Sequence, residues 1–200
     1  MPAMPRMVFV VHGAVTIDGR AFGDGETWFG EGPLAMTPGA AGVTCWRFEL
    51  APADAADGGV AGSAVVSRQK LAAAVETLPA GDLLLRGDSV AFPPGGCAFR
   101  HRHQGPGIRC LIEGGIRIDT HGTSTSYGPG GAWYESGPDL VFAQAAPDRA
   151  TRFIRMMILP RALLGKSSIE YLDPGDKERP KSQSYQGFAD APIRFSAPRR

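Results

Sequence analysis

The sequence predicts an all-β protein built around a small β-barrel, and three observations lead to this prediction. The chain has 200 residues with 27 glycines and 17 prolines, as expected for many short strands joined by tight turns. Residues 8–19 and 111–119 both have the composition of β-hairpin arms. Because 43% of the residues are hydrophobic, a chain of this length can bury a substantial core.

The charge and the N-terminal sequence exclude several kinds of partner. Lys and Arg total 21 and Asp and Glu total 20, so no electrostatic argument favours nucleic acid. The apolar run before His12 has only five residues, too short for a signal segment or a membrane span. We therefore expect a cytoplasmic protein whose partner is a small molecule, without nucleic acid or membrane.

The three cysteines are Cys45, Cys97 and Cys110. They are an odd number and contain no Cys-x-x-Cys pair, so the sequence encodes neither a disulfide framework nor a thiolate zinc site. Reduced, mostly buried thiols are expected.

Two parts of the chain repeat the same order of features. In each part a hairpin arm precedes a Gly-rich turn, a Trp-aromatic pair, and a strand with an arginine five residues before a proline. The matched tryptophans are Trp28 and Trp133, and the matched arginines are Arg47 and Arg155. The order predicts an ancestral duplication with a shared strand order. The first copy is incomplete, because nothing before Val8 can match the strand that carries His101 and His103.

The remaining elements follow in chain order. Residues 1–62 form the partial repeat, ending in an Ala/Asp/Gly-rich loop from Pro52 to Ser63. Residues 63–80 predict a connecting helix that begins at an N-cap, Ser67, and ends near Thr77. Residues 81–165 form the barrel, with a first strand over 83–92 and a short helical stretch at 161–164. Residues 166–200 predict an extended C-terminal arm that crosses the body or a neighbouring subunit.

The candidate site begins with His101 and His103. Side chains at i and i+2 on a strand point to one face, so the two imidazoles can converge on one metal ion or ligand. Strict alternation would place Cys97 and Phe99 on the same inward face. The other histidines, His12 and His121, stand in turn-like sequences and are expected at the surface.

The residues around this pair resemble the first motif of the cupin superfamily. The matching positions are Gly95, His101, His103 and Gly114, and the second motif is matched by Pro129-Gly130-Gly131. The resemblance covers about residues 83–160, and residues 8–52 show a weaker, partial resemblance to the same pattern. It implies a cupin jelly-roll barrel, a partial cupin-like N-terminal repeat, and a divalent metal ion such as Fe, Mn, Zn or Ni. The chain departs from the family at two ligand positions, where Gly107 replaces the Glu and Tyr134 replaces the last His.

Glu135 is the carboxylate best placed to complete a metal site with His101 and His103. A bulge near Gly130-Gly131 would turn it inward, since Tyr134 and Glu135 alternate. In the family register Arg109 faces inward. It either clamps a substrate carboxylate or pairs with Glu113 or Glu135.

The resemblance supports more than one function. One is a metal-dependent enzyme of isomerase, dioxygenase or lyase type that acts on a small, carboxylate-bearing molecule. In this enzyme Arg109 orients the acid and Tyr134 or Glu135 moves a proton. The alternative is a non-catalytic ligand-binding or sensory cupin that has lost part of the metal site. A structural role is the third, with a homodimer in which a neighbouring chain completes the first repeat.

Overall fold

Antiparallel β-sheets make up both compact units of the chain. The structure is a computed structural model that describes residues 1, 3–55, 60, 62 and 64–195. Its two units are Met1–Gln69 with Ile193–Arg200, and Lys70–Pro192. The all-β fold class predicted from the sequence is confirmed. In the described residues, no helix is long and apolar enough to cross a membrane.

The first unit contains a four-stranded sheet arranged around one long strand. Its strands are β1 (Arg6–Ile17), β2 (Arg20–Phe22), β3 (Thr27–Gly30) and β4 (Thr37–Glu49). Strand β1 pairs antiparallel with each of the other three. Alternate apolar residues of β1 form its core together with Phe22 and Leu34, as the period-2 pattern of a half-buried strand requires.

The second unit contains two five-stranded sheets. Its strands are β5 (Leu83–Phe92), β6 (Cys97–His103), β7 (Gly107–Glu113), β8 (Ile116–Thr120), β9 (Thr123–Tyr127), β10 (Ala132–Glu135), β11 (Val141–Ala145), β12 (Thr151–Pro160), β13 (Ile169–Tyr171) and β14 (Ser184–Ile193). One sheet has the order β10-β7-β12-β5-β14 and the other β13-β6-β11-β8-β9. A 3₁₀ helix (Arg161–Leu163) and the helix α1 (Pro174–Glu178) complete the unit.

Residues from both sheets form the core of the second unit. Val90 and Phe153 of one sheet belong to the same buried cluster as Ile118 and Val141 of the other. Burying each such side chain contributes about 1.5–3 kcal/mol. Several residues of this cluster also line the candidate site described below.

The two copies of the repeat have the same strand register. In the first unit Val8 of β1 is paired with Trp28 of β3 and with Arg47 of β4. In the second unit Arg109 of β7 is paired with Trp133 of β10 and with Arg155 of β12. The tryptophans and arginines matched by sequence are thus also matched in their strand pairing.

The connecting helix predicted over residues 63–80 is wrong. The described part of this segment has no helix. A helix of this length is marginal without an apolar face to pack. The chain instead runs without regular structure, and Lys70 Nζ donates a hydrogen bond of 3.0 Å to the carbonyl of Gly130.

The C-terminal arm is partly as predicted. It is extended, but α1 interrupts it, and β14 joins the sheet beside β5. The helical stretch predicted at residues 161–164 is the 3₁₀ helix. Part of the predicted loop, residues 56–59, 61 and 63, and the end of the arm, residues 196–200, lie outside the described residues.

Candidate metal and ligand site

The polar residues singled out in the sequence meet in a buried cavity of the second unit. The cavity has a volume of about 30 Å³, room for about two water molecules. Its polar part contains both motif histidines, His101 and His103, together with Arg109 and Glu135. The remaining walls are mostly apolar side chains of the core cluster. The cavity thus has a charged end and an apolar end.

The two histidines present their Nε2 atoms to the cavity. His101 Nδ1 lies 2.7 Å from the carbonyl oxygen of Phe99, so Nδ1 carries the proton that it donates. His103 Nδ1 lies 3.4 Å from Ser168 Oγ. His101 Nε2 therefore keeps its lone pair for a ligand, whereas the Ser168 hydroxyl can either donate to His103 Nδ1 or accept from it. The ring centroids are 4.9 Å apart, as the shared strand face predicts.

A β-bulge in β6 corrects the prediction for Cys97 and Phe99. His101 pairs with Val141 of β11, but the next pair joins Ala98 and Ala143, so β6 has one extra residue between them. The buried core residue on the inward face is therefore Ala98. Phe99 instead has the guanidinium carbon of Arg179 4.0 Å from its ring centroid.

Glu135 reaches the cavity by simple alternation. Strand β10 pairs with β7 without a register shift from Ala132 to Glu135, so the bulge expected near Gly130-Gly131 is not needed. Trp133 and Glu135 face inward, and Trp133 Nε1 donates a hydrogen bond of 2.9 Å to Glu135 Oε1. Glu135 Oε2 lies 3.8 Å from His103 Nε2. One ligand atom of each of His101, His103 and Glu135 lies within 4.8 Å of the others.

The carboxylate comes from the strand opposite the usual family position. Glu135 is paired directly with Gly107, where the motif would place a Glu. At Gly107 a Cβ would lie 2.5 Å from the carbonyl oxygen of Met156, which leaves no room for any side chain. The same layer of the barrel therefore still receives a carboxylate, supplied across the β7–β10 pair.

Arg109 faces inward and is 1% exposed. Its Nη1 donates a hydrogen bond of 2.7 Å to the carbonyl of Gly107. Its Nη2 lies 2.7 Å from Glu135 Oε2, yet neither atom has a hydrogen-bond partner of acceptable geometry. The two charges form a buried ion pair, and its poor hydrogen-bond alignment leaves each atom able to form a further, better aligned hydrogen bond. Of the two alternatives for Arg109, the pairing with Glu135 is present, whereas Glu113 pairs with Arg152.

Sequence reasoning missed a second buried ion pair, Arg155 with Asp88. Arg155 Nε and Nη2 donate to the two Asp88 carboxylate oxygens at 2.6 and 2.9 Å. Arg155 lines the cavity and is paired with Arg109 across β12 and β7. A signal existed, since both charged residues stand in strands made mostly of apolar residues, and burial of an unpaired charge is costly.

Burial determines the protonation states in this site. It lowers the pKa of His101 and puts that of His103 well below its usual value, where the charges of Arg155 and Arg109 act in the same direction. Burial also lowers the pKa of Arg109 to about 10. For Arg155, burial disfavours the charge, but Asp88 outweighs it and raises the pKa. At neutral pH the site combines neutral imidazoles with charged guanidiniums.

The donor set fits a divalent metal ion. Two neutral imidazoles and one carboxylate are the ligands of many iron and zinc sites. Glu135 Oε2 forms no aligned hydrogen bond but lies 2.7 Å from Arg109 Nη2 and 3.8 Å from His103 Nε2, so a metal ion bound there would share this oxygen with Arg109.

The structure does not bring Tyr134 to the cavity. Tyr134 lies on the opposite face of β10 from Trp133 and Glu135, and it is half-buried. Burial raises the pKa of its hydroxyl. His12 and His121 are exposed, as predicted, and pair with Asp24 and Asp139.

No protein-family model matches the sequence, and no curated protein matches it. Among solved structures, the chain is similar to AerE from Microcystis aeruginosa, with 12% identity, 80% of each chain covered and a TM-score of 0.55. It is also similar to a cupin-like protein from Thermotoga maritima, with 21% identity, 44% of this chain and 64% of that chain covered, and a TM-score of 0.39. The polyketide cyclase RemF from Streptomyces resistomycificus shows 16% identity, with 47% of this chain and 63% of that chain covered, and a TM-score of 0.36.

The similarity to solved structures concerns the fold. The matched region spans less than two thirds of the Thermotoga protein and of RemF, and 80% of AerE. The second unit has two five-stranded sheets with antiparallel pairing on both sides of β7 and of β11. The chain therefore has the cupin jelly-roll fold that its motif residues predict.

Proposed function

We propose that this protein is a metal-dependent cupin enzyme that acts on a small, carboxylate-bearing molecule. The observation that carries the proposal is the buried cluster of His101, His103 and Glu135, whose ligand atoms lie within 4.8 Å of one another. In the described residues this is the one group of three or more such side chains that could hold a metal ion.

His101, His103 and Glu135 would hold the ion, which would supply Lewis-acid or redox chemistry at the charged end of the cavity. The protein's own groups then bind and orient the substrate. Arg109 Nη2 contacts Glu135 Oε2 at 2.7 Å without forming an aligned hydrogen bond, so its N–H groups can also donate to a substrate carboxylate in a desolvated site, where such contacts are strong. Trp133 fixes Glu135 by donating to Oε1. The apolar walls exclude water.

The charge balance supports an anionic substrate. Arg109 and Arg155 carry positive charge, and Glu135 and Asp88 offset it. A divalent cation would leave the cavity with a net charge of about two positive units. Because the cavity walls have a low dielectric constant, this positive charge attracts an anion more strongly than it would in water.

The proton-transfer role suggested for Tyr134 or Glu135 is better assigned to Glu135. Glu135 lines the cavity, while Tyr134 lies on the outer face of the same strand. The choice between isomerase, dioxygenase and lyase chemistry depends on the substrate and not on the fold.

The decisive experiment is metal analysis of protein purified without chelator. We expect near one equivalent of Fe, Mn, Zn or Ni, lost in the double variant His101→Ala/His103→Ala. The matched control is His12→Ala/His121→Ala, which removes two exposed histidines and should leave the metal content unchanged. Metal that remains after loss of the two motif histidines, or that is absent from the folded wild-type protein, contradicts the proposal.

Turnover needs its own test. A mixture of small carboxylic acids is incubated with metal-supplemented protein in air and followed by proton NMR. We expect at least one acid to be converted, and the conversion to stop in His101→Ala/His103→Ala.

A non-catalytic ligand-binding cupin is the second candidate. The volume of about 30 Å³ and the contact between Arg109 and Glu135 favour it, because both fit a closed site that holds a very small ligand. Acid binding by calorimetry without any conversion would select this function over the enzyme.

A further inference from the structure

The cavity meets solvent at two residues of the C-terminal segment. Among the residues that line it, all are buried except Ile169 and Tyr185. Ile169 is half-buried, and Tyr185 is 52% exposed. Any molecule that enters the cavity by the shortest solvent path therefore passes these two side chains.

The Tyr185 ring contacts the charged end of the cavity. The guanidinium carbon of Arg155 lies 5.7 Å from the ring centroid, within the range of a cation–π contact. Such a contact at a half-exposed position is weak, so the ring can leave and return without disturbing the ion pair of Arg155 with Asp88. The contact gives Tyr185 a preferred position over the mouth.

The backbone on both sides of Tyr185 is held in place. Ser182 Oγ accepts a hydrogen bond from Cys97 N at 3.0 Å and donates to Cys97 O at 3.1 Å. Further along β14, the Asp190 carboxylate receives two hydrogen bonds of 3.0 Å from Arg86. With both anchors in place, the width of the mouth is determined by side-chain rotation.

We propose that Tyr185 is the gate and, with Ile169, the size-selecting residue of this cavity. The cavity of about 30 Å³ admits only a few heavy atoms, so any larger acid must place its tail in the mouth, where Ile169 and Tyr185 limit the space. The favoured ligand class is a small carboxylic acid with a short apolar tail. The selection of acids rests on the proposed function, whereas the gate itself depends only on the geometry.

Access is measured with diethyl pyrocarbonate, which acylates unprotonated imidazoles. The full-length protein is labelled at pH 7 with chelator present, and each histidine peptide is quantified by mass spectrometry. The exposed His12 and His121 act as internal references. We expect Tyr185→Ala to raise the labelling rate of His101 and His103 at least tenfold, and Tyr185→Phe, which keeps the ring, to stay within twofold of wild type.

Leu172→Ala is the matched control, because Leu172 is also 52% exposed and does not line the cavity. It should leave all four rates unchanged. Equal labelling of His101 and His103 in wild type and Tyr185→Ala overturns the gate. Circular dichroism checks that each variant is folded, and Tyr185→Trp, which should slow labelling, gives a second reading that does not depend on the alanine variant.

Selection is measured by calorimetry with acetate and benzoate on zinc-supplemented protein. In Tyr185→Ala we expect benzoate to bind at least tenfold more tightly than in wild type, with acetate within twofold. Parallel changes for both acids overturn the size selection. The metal content of the same samples separates the two proposals. If the protein holds no metal but the labelling of His101 and His103 still rises in Tyr185→Ala, the gate is supported and the metal-dependent function is contradicted.

Discussion

Arg109 and Glu135 are two buried charged side chains of the site, and each is the main charge partner of the other. Arg109 is buried, and its pKa of about 10 keeps it charged at neutral pH. Glu135 balances that charge at 2.7 Å. Each group therefore stabilises the protein mainly by preventing the other from being a lone buried charge.

Replacing Arg109 by Met should lower the free energy of unfolding by about 3–5 kcal/mol, because it leaves the Glu135 carboxylate buried without compensation. Urea unfolding measures the loss. Adding Glu135→Gln should restore part of it, since the amide is neutral and still accepts from Trp133. Arg161→Met, which removes an exposed ion pair with Asp82, is the control and should cost under about 1 kcal/mol. A similar loss in both single variants would contradict this account.

Cys110 should be the least reactive of the three thiols. It is buried, and burial raises its pKa to about 11, so little thiolate forms at pH 8. Iodoacetamide at pH 8, followed by peptide mass spectrometry, should label the half-buried Cys97 well before Cys110. In urea all three cysteines should react at similar rates. Early labelling of Cys110 in the folded protein would show that β7 opens locally.

At the scale of the elements, the site depends on the close packing of β7 against its neighbouring strands at Gly107. A Cβ on Gly107 would lie 2.5 Å from Met156 O and 2.7 Å from Met157 Cγ. Gly107→Ala should therefore lower the free energy of unfolding by about 1–3 kcal/mol through overpacking. Gly128→Ala is the matched control, because nothing lies within 4 Å of its Cβ position, and its effect should stay within about 0.5 kcal/mol. Thermal unfolding distinguishes the two, and equal effects would contradict the clash.

The same elements show how far sequence reasoning reached. The i, i+2 spacing placed His101 and His103 on one face, and the family register placed Arg109 inward. Alternation along β10 placed Glu135 opposite Tyr134 but could not decide which of them faces inward, because that depends on the pairing of Glu135 with Gly107.

Other features depend on contacts between distant residues and leave little local signal. The extra residue in β6 reverses the facing of Ala98 and Phe99. Asp88 and Arg155 are 67 residues apart in sequence, and only the β5–β12 pairing brings them together. Tyr185 reaches the cavity because β14 joins the sheet beside β5, which the polar composition of the arm did not indicate.

For the molecule as a whole, the repeat supports the homodimer that the sequence suggested. The register of β1 with β3 and β4 repeats that of β7 with β10 and β12. In the second unit β12 is also paired with β5, whereas among the described residues β4 is paired only with β1. The homodimer stays a prediction, and light scattering should return twice the chain mass of 21.1 kDa.

Metal binding should be coupled to the stability of the folded chain, because the unfolded chain cannot bring His101 and His103 to Glu135. An ion present at about 100 times its dissociation constant stabilises the native state by about 2.7 kcal/mol. For a chain of this size each 1 kcal/mol raises Tm by about 2–4 °C, so we expect zinc or manganese to raise Tm by about 5–10 °C. Scanning calorimetry with metal and then with excess chelator measures the shift and its reversal. The shift should disappear in His101→Ala/His103→Ala and persist in His12→Ala/His121→Ala; the opposite pattern would place the ion at the exposed histidines and remove the metal from the cavity.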